Sequence, residues 1–141
     1  MWLLLVAMLV QQPSFNQYPA PDRMPAGQKP AVPILATARQ RLYRTMIREG
    51  AKQGPNFAGH YTIAGWGCGS SCAGFAIVDA ITGKTFDTPF KYYEMEEISY
   101  NLNSRLLILK GCPEEENCGT YHYEWTGSQL KLLKKIPAVP Q

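Results

Sequence analysis

The sequence predicts a mainly β domain of α+β character: an antiparallel, meandering sheet of six or seven strands with one N-terminal amphipathic helix packed on it. Three observations lead there. After Pro55 the chain is rich in aromatic and β-branched residues broken at intervals by turn-forming pairs, the pattern of strands and hairpins. Before Pro55, apolar residues recur at helical rather than alternating spacing. A length of 141 residues, 45% of them hydrophobic, accommodates one core and not two.

Taken in order, Trp2 to Val10 is an unbroken apolar run, the length of a signal-peptide core and far below the roughly 20 residues of a membrane-spanning helix. Residues 1–14 are therefore read as a signal peptide or apolar leader whose end is left open. Residues 15–33 hold most of the six prolines found between Pro13 and Pro33 and few aliphatic side chains, which favours an extended linker. Residues 34–141 form the single β-rich domain, enough chain to bury about two thirds of its unfolded surface.

Within it, Leu35, Ala38, Leu42, Tyr43, Met46 and Ile47 mark the apolar face of a helix ending near Gly50. Arg41, Arg44 and Arg48 fall on the other side. A basic amphipathic helix can lie on anionic lipid, but this apolar stripe is needed to cover a sheet, and the arginines then face water. Strands are expected at 57–66, 75–80, 84–86, 98–101, 105–111, 120–125 and 130–136. Thr82-Gly83, Asn103-Ser104 and Thr126-Gly127 supply tight turns.

Cys68, Cys72, Cys112 and Cys118 are an even number in a small chain with an export-like start, the setting in which thiols oxidise. Of the three possible connectivities, Cys68–Cys72 with Cys112–Cys118 is favoured because each pair brackets turn-forming residues; crossed pairing between the two loops competes with it. Zinc is the rival use of four cysteines and two histidines, but Cys112-x5-Cys118 exceeds the usual ligand spacing and an oxidising compartment consumes the thiolates. No metal or cofactor is expected. A net charge of +3 lacks the basic excess of a nucleic-acid binder.

The candidate site residues come from three segments. Gly65-Trp66-Gly67-Cys68-Gly69-Ser70-Ser71-Cys72 has the backbone freedom of an anion-binding nest, yet no phosphate-loop lysine follows, and a disulfide-closed turn is the better account of its glycines. His60, on an alternating run with Trp66, and His122, sharing a strand face with Glu124, would form an acid-base cluster if their strands met. Ser70 or Ser71 could then serve as a nucleophile, although the closing glycine of a G-x-S-x-G elbow is missing. Tyr121, Tyr123 and Trp125 line one strand face and suit sugar stacking or a protein interface as well as a core. The acidic loop Glu114-Glu115-Glu116 reads as solvated.

Asn56-Phe57-Ala58-Gly59-His60-Tyr61, then Trp66-Gly67-Cys68-Gly69-x-x-Cys72, then Ala76-Ile77-Val78-Asp79-Ala80 with Thr82-Gly83-Lys84 resembles a family of small exported bacterial proteins of uncharacterised function. The match spans about residues 40 to 90. The resemblance implies a bacterial envelope setting, periplasmic or secreted, and supplies no reaction.

The expected function is thus a non-enzymatic envelope module that binds a protein or glycan. The alternatives are a small hydrolase-like enzyme using His60 or His122 with a loop serine or Glu124, and a structural accessory protein of the envelope.

Overall fold

The computed structural model describes residues 12–90, 93–113 and 117–139; the apolar leader up to Gln11 and the three consecutive glutamates lie outside them. Seven antiparallel strands make the expected mainly β fold: β1 (Tyr61–Gly69), β2 (Cys72–Asp79), β3 (Thr85–Asp87), β4 (Tyr93–Ser99), β5 (Leu106–Cys112), β6 (Gly119–Trp125) and β7 (Leu130–Pro137). Their order is β1-β2-β4-β5-β6-β7. The second edge of β2 is shared: its C-terminal half pairs with β3 through Ala76 to Val78, and Cys72 and Ala73 pair with β4. The meander is therefore continuous only at its disulfide-bearing end.

One core lies on the inner face of this curled sheet, where Tyr61, Ile63, Phe75 and Ile77 of the first hairpin meet Leu107, Leu109, Tyr121, Tyr123 and Trp125. The Trp125 ring stands edge-on to Tyr61 at 5.2 Å and to Phe86 at 5.1 Å, a geometry that suits the aromatic quadrupoles.

On the outer face of β1 and β2, Ala76, Val78 and Trp66 receive the helical layer. The expected single helix is two: α1 (Ala38–Leu42) and α2 (Arg44–Lys52), broken at Tyr43, whose φ of −102° and ψ of 23° leave the helical well. The break re-aims the apolar stripe. Ile47 and Ala51 are buried, and Tyr43 lays its ring on Trp66 at 4.2 Å, whereas Leu42 and Met46 remain exposed with Arg41, Arg44 and Arg48. Burial of Ile47 contributes about 2 kcal/mol.

Gly50 does not end the helix. It is where the helix touches the sheet, since a Cβ there would stand 2.7 Å from Ala64 Cβ; the left-handed residue past the end is Gly54, at φ 82°. Gln40, which helical periodicity alone did not mark, is buried and bonds Thr85 O at 3.2 Å and Asp87 Oδ1 at 3.1 Å, fastening α1 to β3.

Residues 15–33 open with a 3-10 turn at Phe15–Gln17 and then run mostly without regular structure, and they are tied to the sheet along their length. Ser104 Oγ donates to the carbonyls of Phe15 and Tyr18, Ala20 N–H bonds Asn103 O, and Ala31 N–H bonds Ala80 O. Proline removes donors without removing carbonyl acceptors, so a proline-rich segment still straps down wherever side-chain or main-chain donors face it.

Candidate functional site

The cysteines form the two adjacent pairs, Cys68–Cys72 and Cys112–Cys118. Cys72 and Cys112 flank Glu94 on one rung of the sheet, so both crosslinks lock the same end of the meander. With the four sulfurs bonded to one another, the described residues contain no group of three or more potential metal ligands.

The polar residues read from the sequence are dispersed. His60 precedes β1 and bonds Asp79 Oδ1 through Nδ1 at 3.1 Å; that same oxygen accepts the Ile81 N–H at 2.9 Å and so also closes the β2–β3 turn. Ser70 and Ser71 are the exposed turn between β1 and β2, at the opposite end of a nine-residue strand. At about 3.3 Å per residue that separation is roughly 30 Å, too far for His60 to take a proton from either hydroxyl.

His122 is 2% exposed, on the face of β6 opposite Tyr121 and Tyr123, between Ile108 of β5 and Lys134 of β7. Its Nδ1 has no hydrogen-bond partner. Burial lowers its pKa below the usual histidine value; a main-chain bond with Lys134 opposes this and the Lys134 charge adds to it. Glu124, on the same face, is held by Arg105 at 2.7 Å. Arg105 in turn bonds Pro19 O at 2.9 Å and lies over the Tyr18 ring, so the pair fastens the strap. Among the described residues no hydrogen bond or ion pair joins the two histidines, or either of them to a loop serine.

The aromatic row is core rather than a free face. Tyr121 and Tyr123 are each 6% exposed and Trp125 is 1% exposed. The Trp125 indole nitrogen makes no hydrogen bond of standard geometry; its polar neighbour is the Tyr61 phenol, whose pKa burial raises, with Trp125 opposing and Asp79 adding to the shift.

One segment does converge on something. The inward row of β1 runs Tyr61, Ile63, Gly65, Gly67, so its last two places lack side chains. The result is an apolar hollow of about 480 Å³, floored by Ala73 and Phe75 and walled by Met95, Ile98 and Tyr100. Trp66 closes its outer side and is fixed: Tyr43 stacks on it, the Arg39 guanidinium lies 5.5 Å from its ring centre, and a Cβ on Gly74 would stand 2.7 Å from its Nε1. A larger cleft, about 620 Å³, lies between the strap at Val32 and α2 at Arg48, with Glu49 and Lys52 paired at 3.1 Å. We favour the glycine hollow because main-chain groups as well as side chains face it.

β1 is also an outer strand. Tyr61 shares its outward N–H and C=O with the Phe57 main chain, and Ile63 shares its pair with the Asn56 side chain, at 2.8 Å for Ile63 N and 3.3 Å for Ile63 O. Gly65 and Gly67 follow in the same phase, and among the described residues their outward groups meet no partner. These glycines, expected to serve a disulfide-closed turn, lie instead within the strand. The usable signal was their alternation with Trp66 in an otherwise uncharged strand.

Comparison of the chain with protein-family models, curated proteins and solved structures finds no match. Among the described residues no helix is long and apolar enough to cross a membrane.

Proposed function

We propose that this protein is a non-enzymatic binding module of the bacterial cell envelope, periplasmic or secreted, that holds an apolar group of a protein partner in the hollow beside β1. The observation that carries the reading is the missing pair of side chains at Gly65 and Gly67, which leaves an apolar space of ligand-accepting size open at the surface beside the core. An apolar lining with no charged residue favours a protein side chain over a glycan. The exported setting rests on the two disulfides, the apolar run at Trp2 to Val10 and the resemblance of the Asn56–Lys84 motifs to exported bacterial proteins.

The test is binding of an apolar fluorescent dye, Nile red, to the oxidised protein. Gly65→Val and Gly67→Val are suited to it, because a Cβ at Gly67 meets nothing within 4 Å and one at Gly65 meets only Gly74 O at 3.6 Å. Each variant is expected to fold normally and to bind dye at least tenfold more weakly. Dye affinity unchanged in both overturns the reading. The same protein, recovered from the periplasm, is expected to show no free thiol, and four reactive thiols overturn the exported setting.

A further inference from the structure

We infer that the occupant of the hollow is an extended, uncharged segment of a partner protein that adds to β1 as a further strand. The inference rests on the binding reading above and deepens it. Its basis is the row of outward main-chain groups on β1. At Tyr61 and Ile63 the chain itself supplies the partner, first with the Phe57 main chain in an antiparallel bridge and then with the Asn56 amide. Beyond Ile63 the row continues with the N–H and C=O of Gly65 and Gly67, two donors and two acceptors at the spacing of a strand ladder.

Such groups are satisfied in full by another strand, and side-chain pockets beside the ladder then select which strand. Here the pocket lies on the same residues. A strand entering the line that Asn56 leaves would place one apolar side chain over Gly65 and Gly67, against Phe75, Met95, Ile98 and Tyr100. The segment must be uncharged at that position, because the lining holds no charged residue and its polar side-chain groups are the Trp66 indole and the Tyr100 phenol.

The probes are a capped heptapeptide of alternating threonine and apolar residues with a central phenylalanine, and the same peptide N-methylated at every peptide bond, which keeps the side chains and removes the donors. The plain peptide is expected to displace Nile red and to slow hydrogen exchange at the Gly65 and Gly67 amides at least tenfold, with the methylated peptide binding at least tenfold more weakly. If dye binds and the valine variants abolish it, yet the two peptides bind alike or leave those amides unprotected, strand addition is overturned and the apolar site stands. If dye binding itself fails the valine test, both readings fall. Protection of the same amides that rises with protein concentration in the absence of peptide assigns the edge to a second copy of this chain and overturns the partner assignment.

Discussion

Strand β7 carries Lys131, Lys134 and Lys135, an unpaired Leu133 where its register with β6 shifts, and a terminal Pro137; strand β1 has no charged residue and no proline, and its own irregularity, at Cys68, lies beyond Gly67. Both are outer strands of one sheet. Lysines, bulges and prolines are the devices that stop an outer strand from pairing with another chain, and all three are concentrated on one side of this molecule. The difference teaches that the bare row on β1 is not a property of small sheets in general: the same chain blocks one edge and leaves the other open where the open one adjoins an apolar hollow.

The largest expected effect separates the two glycine classes on the open side. Gly74→Val drives a side chain into Trp66, itself held by Tyr43, and is expected to cost about 3 kcal/mol, read as a lower urea midpoint. Gly67→Val should stay within about 0.5 kcal/mol of the parent. Equal losses at the two positions would end the idea that Gly67 is kept bare for something other than packing.

A smaller effect belongs to the blocked side. His122, one strand in from β7, is buried with a lowered pKa, so between the ordinary histidine pKa and its folded value the unfolded chain binds a proton that the native chain resists. Its contribution is complete above the unfolded pKa and is lost as pH falls towards the folded one. Urea titrations from neutral to mildly acidic pH should show stability declining in that window, and His122→Leu should flatten the decline; an unchanged slope removes His122 as its source.

The smallest effect is on association. Changing Lys131, Lys134 and Lys135 to threonine takes the net charge from +3 to 0 and should leave stability within about 0.5 kcal/mol, while light scattering shows concentration-dependent oligomers. Replacing Arg41, Arg44 and Arg48 removes the same charge from the helical layer and is the control. If both sets associate alike, net charge and not the β7 edge keeps the chains apart.

Much of this architecture was legible beforehand because alternation and turn chemistry are local. Six of the seven strands lie close to their expected positions, and the adjacent cysteine pairing, favoured over a crossed one, closes two hairpin turns. β4 begins at Tyr93, ahead of the expected Ile98: Glu94, Glu96 and Glu97 break the alternation and a register shift between Met95 and Glu97 interrupts the ladder. The helix break at Tyr43 had no signal in periodicity. The site was less legible still: whether His60 meets a serine depends on which end of β1 each occupies, and whether Tyr121 and Trp125 are a surface or a core depends on how the sheet curls. Open main-chain groups on Gly65 and Gly67 depend on strand order, which local pattern does not encode.

The strap has a consequence for the order of assembly. Phe15 and Tyr18 are held by Ser104, 89 and 86 residues further along. Contacts of that span close late, since a long stretch of chain must be organised before they form. The strap, synthesised ahead of the sheet that holds it, is consequently among the last parts to find its place, and until Ser104 and its neighbours are in position its prolines stay open to any chaperone or protease that meets them.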